Sequence, residues 1–195
     1  MRFPEIENNL KKFRVGIAGA GGLGSNCAAS LARTGVGTLV IADFDKVEPL
    51  NLSRQYYFID QVGMLKTIAL KENLLHIRPE INIVTHQVKL NRGNIPLLFA
   101  GCDVIVEAFD AADMKEMLIE TVQMELPGIP VVVGSGMAGW GNTEALRFRE
   151  IDKTLYVCGD ELSEASDDSP ALAPRVGIVA NMQANTVVEI LMRKV

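Results

Sequence analysis

A short apolar run that breaks into closely spaced glycines and resumes as a helix is the feature that most restricts what this 195-residue chain can fold into. Val15 to Ala18 reads as a buried strand of the parallel kind, and Gly19-Ala20-Gly21-Gly22-Leu23-Gly24 follows at once. Glycines at 19, 21 and 24 let a backbone turn tightly and approach a phosphate at the N-terminus of the next helix. The same glycines would also suit a strand-to-helix turn that binds nothing. Asp43, 19 residues past Gly24, stands near the position of the acid that accepts ribose hydroxyls in dinucleotide-binding folds.

Strand and helix signals then alternate. Residues 25–34 have helical spacing and stop at Gly35; 37–43 read as a second buried strand ending in acid. The stretch 44–61 is polar and irregular, too long for an ordinary connector, and holds Asp45, Asn51, Arg54 and Gln55. Helix is predicted over 62–77, strand over 81–88, helix over 91–100, strand over 103–107, helix over 113–124 and strand over 129–133. This rhythm implies one domain over 1–195. Its class is α/β: a Rossmann-like, doubly wound and mostly parallel sheet with helices on both faces and ligands at the carboxyl ends of the strands. Near the C-terminal end, 144–149 and 154–158 read as strands antiparallel to the sheet or to each other. An acidic, Ser-rich segment at 159–174 is expected to be a mobile loop, and 176–192 a closing helix. Residues 1–13 read as a short polar arm with room for one helical turn, leading into the first strand.

Charge and cysteine usage remove several classes. The net charge of −5 provides no basic field for nucleic acid or an anionic membrane. The start lacks the apolar core of a signal peptide and no apolar run is long enough to span a bilayer, so a cytoplasmic location is expected. Cys27, Cys102 and Cys158 are far apart, without a C-x-x-C pair, which fits reduced thiols rather than disulfides. Cys158 alone, ending a strand beside the acidic loop, is a candidate for a reactive role.

With these stretches in view, the chain resembles the ThiF/MoeB family of adenylyltransferases, relatives of ubiquitin-activating enzymes, and is most similar to compact ThiF-like proteins of thiamine biosynthesis. The resemblance runs through the glycine turn, Asp43-Phe44-Asp45, Asn51-Leu52-Ser53-Arg54-Gln55, Lys66 after Gly63, and Glu107-Ala108-Phe109-Asp110. It implies transfer of AMP from ATP to the C-terminal glycine carboxylate of a small ubiquitin-like sulfur carrier with a Gly-Gly tail, and release of pyrophosphate. It also implies a homodimer. Two anions meet in such a reaction, so cations and a metal are needed where charge builds. Arg54 and Lys66 would act on phosphate oxygens, Asp110 would hold Mg²⁺, and Gly19, Gly21, Gly22, Gly24, Asp43, Asp45 and Asn51 would bind the nucleotide, Asn51 by bonding phosphate or by adjusting Arg54. Arg54 and Lys66 could equally be surface charges, Asp110 a helix N-cap and Asp45 a loop stabiliser.

The chain departs from the family in three respects. Only Cys158 stands where many relatives carry two C-x-x-C pairs, so no zinc is expected. The crossover segment Ser166-Asp167-Asp168-Ser169-Pro170 has no thiol, so the chemistry is expected to end at the acyl adenylate. The N-terminal arm that can lend an arginine across the dimer is short, leaving Arg2 and Arg14 as candidates. Two rivals stay open: an NAD-dependent oxidoreductase, which the glycine turn and Asp43 would suit equally, and a non-catalytic nucleotide-binding scaffold of the same fold.

Overall fold

Strands that are apolar at every position need cover on both faces, and the chain supplies it by winding helices to either side. The computed structural model describes residues 1–195. In order, the elements are α1 (Phe3–Leu10), β1 (Arg14–Ala18), α2 (Gly22–Thr34), β2 (Thr38–Ala42), α3 (Lys66–Ile77), β3 (Asn82–His86), α4 (Ile95–Phe99) and β4 (Val104–Glu107). They continue with α5 (Ala112–Glu125), β5 (Val131–Gly134), β6 (Arg147–Asp152), β7 (Leu155–Gly159) and α6 (Ala173–Met192). One sheet has the order β3-β2-β1-β4-β5-β7-β6. All pairings are parallel except β6 with β7. The mostly parallel α/β sheet is therefore as expected; β7 joins it parallel to β5, and only β6 runs the other way.

The inner strands feed two cores. Val15, Ile17, Leu39, Ile41, Val104, Val106 and Val132 face one side, packed with α2, α3 and α6. Val40, Ala42, Ile105, Val131 and Val133 face the other, with α4 and α5. On that side Phe99 lies so close to Gly16 that an added Cβ would sit 2.7 Å from its ring. The chain leaves β1 toward β2 on one side and β4 on the other, so the strand order reverses at β1, and the crevice for ligands opens at its carboxyl end.

Three expectations change. The arm at 1–13 is the helix α1, with Leu10 fully buried and Ile6 packed one turn earlier against the same core. The helix expected from 62 begins only at Lys66, because Gly63 takes a left-handed φ of 90° and Leu65 stays extended. The chain there pairs with the preceding loop instead, Val47 N–H donating to Met64 O at 2.8 Å and Gly63 N–H to Val47 O at 2.8 Å. The segment at 159–174 is tied down rather than loose: Asp160 accepts from Leu162 and Ser163 N–H at 2.9 and 2.8 Å, Gly139 N–H donates to Pro170 O at 2.9 Å, and Arg175 pairs with Asp160 at 2.5 Å.

The turn after β1 shows why glycine is needed at two of its positions. Gly19 has φ 98°, which residues with a Cβ rarely adopt, and the carbonyl of Ala108 closes over it. At Gly24 a Cβ would lie 1.9 Å from the Gly19 carbonyl oxygen, so α2 can dock on the turn only without a side chain there. At Gly21 a Cβ would meet only the Gln55 amide, at an ordinary contact distance of 3.9 Å. Gly24→Ala is expected to cost about 3 kcal/mol in urea unfolding, since backbone must shift, while Gly21→Ala costs about 1 kcal/mol or less.

The three thiols are core groups. Cys27, Cys102 and Cys158 are 0%, 4% and 0% exposed. Burial pushes Cys102 and Cys158 up to about 11 and Cys27 higher still. Cys158 lies beneath α6, its Sγ 3.8 Å from the Thr186 hydroxyl, so it is not the reactive residue its place in the sequence suggested. A thiol-exchange reagent at pH 8 should label the native protein only at the rate of unfolding, and all three positions at once in denaturant. Fast labelling of one thiol in the native state would contradict this burial.

Candidate active site

The glycine turn is braced by charge. Asp43, at the end of β2, accepts the Ala20 N–H at 2.6 Å with one carboxylate oxygen and the Asp45 N–H at 2.8 Å with the other. Each oxygen keeps a lone pair for a further donor. Tyr57 supports the same turn from beneath, its hydroxyl donating to Ala20 O at 2.7 Å. Burial, then Asp43 and Asp45, push the Tyr57 hydroxyl well above its ordinary pKa, which keeps it a donor. Beyond the turn, α2 starts at Gly22 with no side-chain cap. Its first N–H groups have no intrahelical partner and carry the positive end of the helix dipole.

The irregular segment between β2 and α3 is laced onto α2 by side chains. Ser25 Oγ accepts the Tyr56 N–H at 2.9 Å, and Asn26 Nδ2 donates to Gly22 O at 2.7 Å and Arg54 O at 3.0 Å. Arg54 is thereby held beside Gly22, where an added Cβ would be 3.7 Å from its Cγ. Its guanidinium makes only a 3.4 Å contact with Ser53 Oγ, so most of its donors are free. Gln55 lies over Gly21, and its Oε1 is buried without a partner. Asn51 is 9% exposed; its Oδ1 accepts the Glu48 N–H at 3.0 Å and its carbonyl accepts from Arg54 and Gln55 at 3.1 and 2.9 Å. In this structure Asn51 shapes the loop that presents Arg54.

Lys66 opens α3, and the correction to that helix's start is what puts it there. Its N–H donates to Asp45 O at 2.9 Å and its ammonium pairs with the Asp45 carboxylate at 2.9 Å. The Lys66 side chain is 8% exposed and that of Asp45 is 48% exposed. Water on the Asp45 side screens the pair, which is worth about 1 kcal/mol or less. An incoming anion can compete for the ammonium at that cost.

On the other side of the turn, β4 ends at Glu107. Asp110 follows, exposed, with no hydrogen bond or ion pair to its carboxylate within the chain. It does not cap α5, whose N-cap is Ala111 without a side-chain bond. Mg²⁺ is held through one or two carboxylates plus substrate phosphates, and one unengaged carboxylate at a strand end suits that donor set. No group of three or more His, Cys, Asp or Glu forms a metal cage elsewhere. Burial pushes the Glu107 carboxyl up, opposed by its contacts with Lys115 and by the N–H groups of Phe109 and Gly134.

The structure thus brings the glycine turn, Asp43, Asp45, Arg54, Lys66 and Asp110 to the carboxyl ends of β1, β2 and β4. It leaves Arg2 and Arg14, the arginines considered for a second subunit's site, away from this group. Arg2 pairs with Glu5 on the surface, and Arg14 begins β1 at the amino-terminal end of the strands, beside Cys102. Sequence reasoning passed over Ser25, Asn26, Tyr57 and Lys115, and gave Glu107, within a stretch that carries the family resemblance, no role. The first two carried a signal, polar residues on the inner face of a predicted helix; for the others only the fold discloses the partner.

The ThiF family profile matches residues 3–194. The adenylyltransferase and sulfurtransferase UBA4 of Candida glabrata is 34% identical over 190 residues, covering 94% of this chain and 43% of that protein. The adenylyltransferase and sulfurtransferase MOCS3 of Caenorhabditis briggsae is 32% identical over 191 residues, covering 94% of this chain and 47% of that protein. The chain therefore spans less than half the length of these relatives. Among solved structures, E. coli tRNA N6-threonylcarbamoyladenosine dehydratase, TcdA, in complex with ATP, superposes with a TM-score of 0.87 at 19% identity over 97% of this chain and 90% of that one. E. coli MccB with ATP gives 0.72 at 23% identity over 96% and 58%. These two likenesses speak for the fold alone. No helix here is long and apolar enough to cross a membrane. With the profile spanning all but the outermost residues, and relatives above 30% identity matched over nine-tenths of its length, the chain belongs to the ThiF family.

Proposed function

We propose that this chain transfers AMP from ATP to the C-terminal glycine carboxylate of a small ubiquitin-like sulfur carrier of the ThiS-like class, as a homodimer in the cytoplasm. The observation that carries the proposal is the pair of cations, Arg54 and Lys66, held by α2 and α3 at the carboxyl edge of the sheet beside an uncapped helix N-terminus, with the unengaged Asp110 at the next strand end. An NAD-dependent hydride transfer does not require either cation. The names of the relatives, which join adenylyl transfer to sulfur transfer, support a carrier of that kind. Three free, buried cysteines fit a reducing compartment.

A carboxylate oxygen of the carrier attacks the α-phosphorus, an acyl-phosphate bond forms, and the bond to the bridging oxygen breaks as pyrophosphate leaves. Charge grows on the non-bridging oxygens and on the leaving group. Arg54 would fork onto phosphate oxygens at the α2 N-terminus, and Lys66 would exchange Asp45 for a phosphate. Asp43 would accept the ribose hydroxyls with its remaining lone pairs. Asp110 would hold Mg²⁺, which supplies charge neutralisation on the phosphates. Since all three thiols lie in the core, the reaction is expected to end at the acyl adenylate without a covalent thioester on this chain. Thiamine synthesis is the setting that the resemblance implies; the relatives matched here are named instead for adenylyl and sulfur transfer, so the assay offers carriers of more than one kind.

Calorimetry should show ATP with Mg²⁺ binding more tightly than NAD; the reverse order would defeat the proposal. Exchange of pyrophosphate into ATP should depend on a Gly-Gly-tailed carrier. Lys66→Ala and Asp110→Asn should each lower it by about 10²–10³-fold with unchanged circular dichroism, because both act where charge develops. Wild-type rates in both variants would mean the site lies elsewhere.

A further inference from the structure

Glu107 is fully buried three residues before Asp110, and the proposed reaction does not use it. A buried carboxylate is costly unless paired, and apolar residues of similar size often stabilise as well as a buried ion pair or better. Stability alone does not account for it; its partners suggest another purpose. Oε1 accepts the Phe109 N–H at 2.6 Å, and both carboxylate oxygens accept from Lys115 Nζ, at 2.9 and 3.0 Å. The same ammonium donates to the Gly134 carbonyl at 2.9 Å, so β4, β5 and the first turns of α5 meet at one charge. From behind, Gln183 on α6 donates to the Glu107 carbonyl at 2.8 Å and the Val132 carbonyl at 3.1 Å. Ala108 N–H donates to Ala18 O at 3.0 Å, which ties the same turn to the end of β1. Asp110 has no bond of its own to orient it, and α5 has no side-chain cap. The direction of Asp110 is therefore set by Phe109 before it, whose N–H Glu107 accepts, and by the helix after it, which Lys115 anchors.

We infer that the Glu107–Lys115 pair is a positioning device for Asp110, holding the turn at 108–111 so that the carboxylate meets the metal-bound phosphates. This rests on the Mg²⁺ role proposed for Asp110. Neither member of the pair touches nucleotide or metal; they are positioning residues.

The test is calorimetry of ATP, with Mg²⁺ and in EDTA, on the full chain. The double variant Glu107→Gln/Lys115→Met removes both charges and leaves neither orphaned. It should bind metal-free ATP within about twofold of wild type yet lose about tenfold of the gain that Mg²⁺ confers, the usual scale for support around a metal ligand. Combined with Asp110→Asn, it should lose no more of that gain than Asp110→Asn loses alone, since all three act through one carboxylate. Lys115→Arg, which keeps the cation, should stay near wild type. Glu107→Gln alone, nearly isosteric and still an acceptor for the Phe109 N–H, should lose about threefold, which keeps the test open should the double variant fold poorly. A full Mg²⁺ gain in the double variant, or a loss that adds to that of Asp110→Asn, would overturn the inference. A wild-type protein that binds ATP equally with and without Mg²⁺ would overturn it and leave ATP binding standing, whereas no ATP binding at all would overturn the adenylyl-transfer proposal as well.

Discussion

One carboxylate holds the carboxyl-terminal edge of this sheet together at the glycine turn. Asp43 takes the Ala20 N–H from the glycine turn and the Asp45 N–H from the next loop, at 2.6 and 2.8 Å. Hydrogen bonds to a charged acceptor in a nearly buried position are worth roughly 1.5–3 kcal/mol each, several times an exposed ion pair such as Arg2–Glu5. The consequence reaches farther than the turn. Asp45 in turn positions Lys66 through its carbonyl and its carboxylate, so the end of β2 determines where the first residue of α3 places its charge. A residue that a sequence motif would assign to ribose is also the brace of two loops.

The glycines divide the work around that brace. Gly19 and Gly24 are needed by the protein itself, one for its left-handed backbone and the other for contact between α2 and the turn. Gly21 is crowded by nothing nearer than the Gln55 amide, 3.9 Å from where a Cβ would be, and leaves room for another molecule to approach the helix N-terminus. The reversal of strand order at β1 puts this opening at the crevice where parallel sheets receive ligands.

The long segment between β2 and α3 keeps its shape almost without regular structure. Two 3₁₀ turns, Pro49–Ser53 and Ile59–Gln61, are joined to the helices by side chains. Gln61 and Asn73 exchange amide hydrogen bonds at 2.8 and 3.0 Å, and Asn73 also donates to Tyr56 O at 2.9 Å. Buried amides that satisfy one another fix a loop as firmly as a ladder does. Arg54 and Lys66 therefore sit on a scaffold that keeps them in place before any ligand arrives, so less ordering is left to oppose binding.

Residue pattern alone determined the class of fold, the glycine turn and the place of Asp43, while the other candidate residues rested on the resemblance to a family. Continuous apolar strands alternating with helical spacing admit few solutions other than a covered parallel sheet, and the turn's glycines sit on either side of a period change that is local in sequence. Local signals did less well where a distant partner decided the outcome. Residues 62–65 have helical composition, yet they pair with Val47 because Gly63 can turn left-handed, and that pairing delivers Lys66 to a helix start. Cys158 looked accessible at a strand end until α6 covered it. Glu107 and Lys115 are eight residues apart with nothing in their spacing to join them; only the end of β4 meeting the first turns of α5 brings the charges together. The backbone's periodicity is written along the chain, but the partner of a buried charge is chosen by packing across it, and that choice belongs to the tertiary structure.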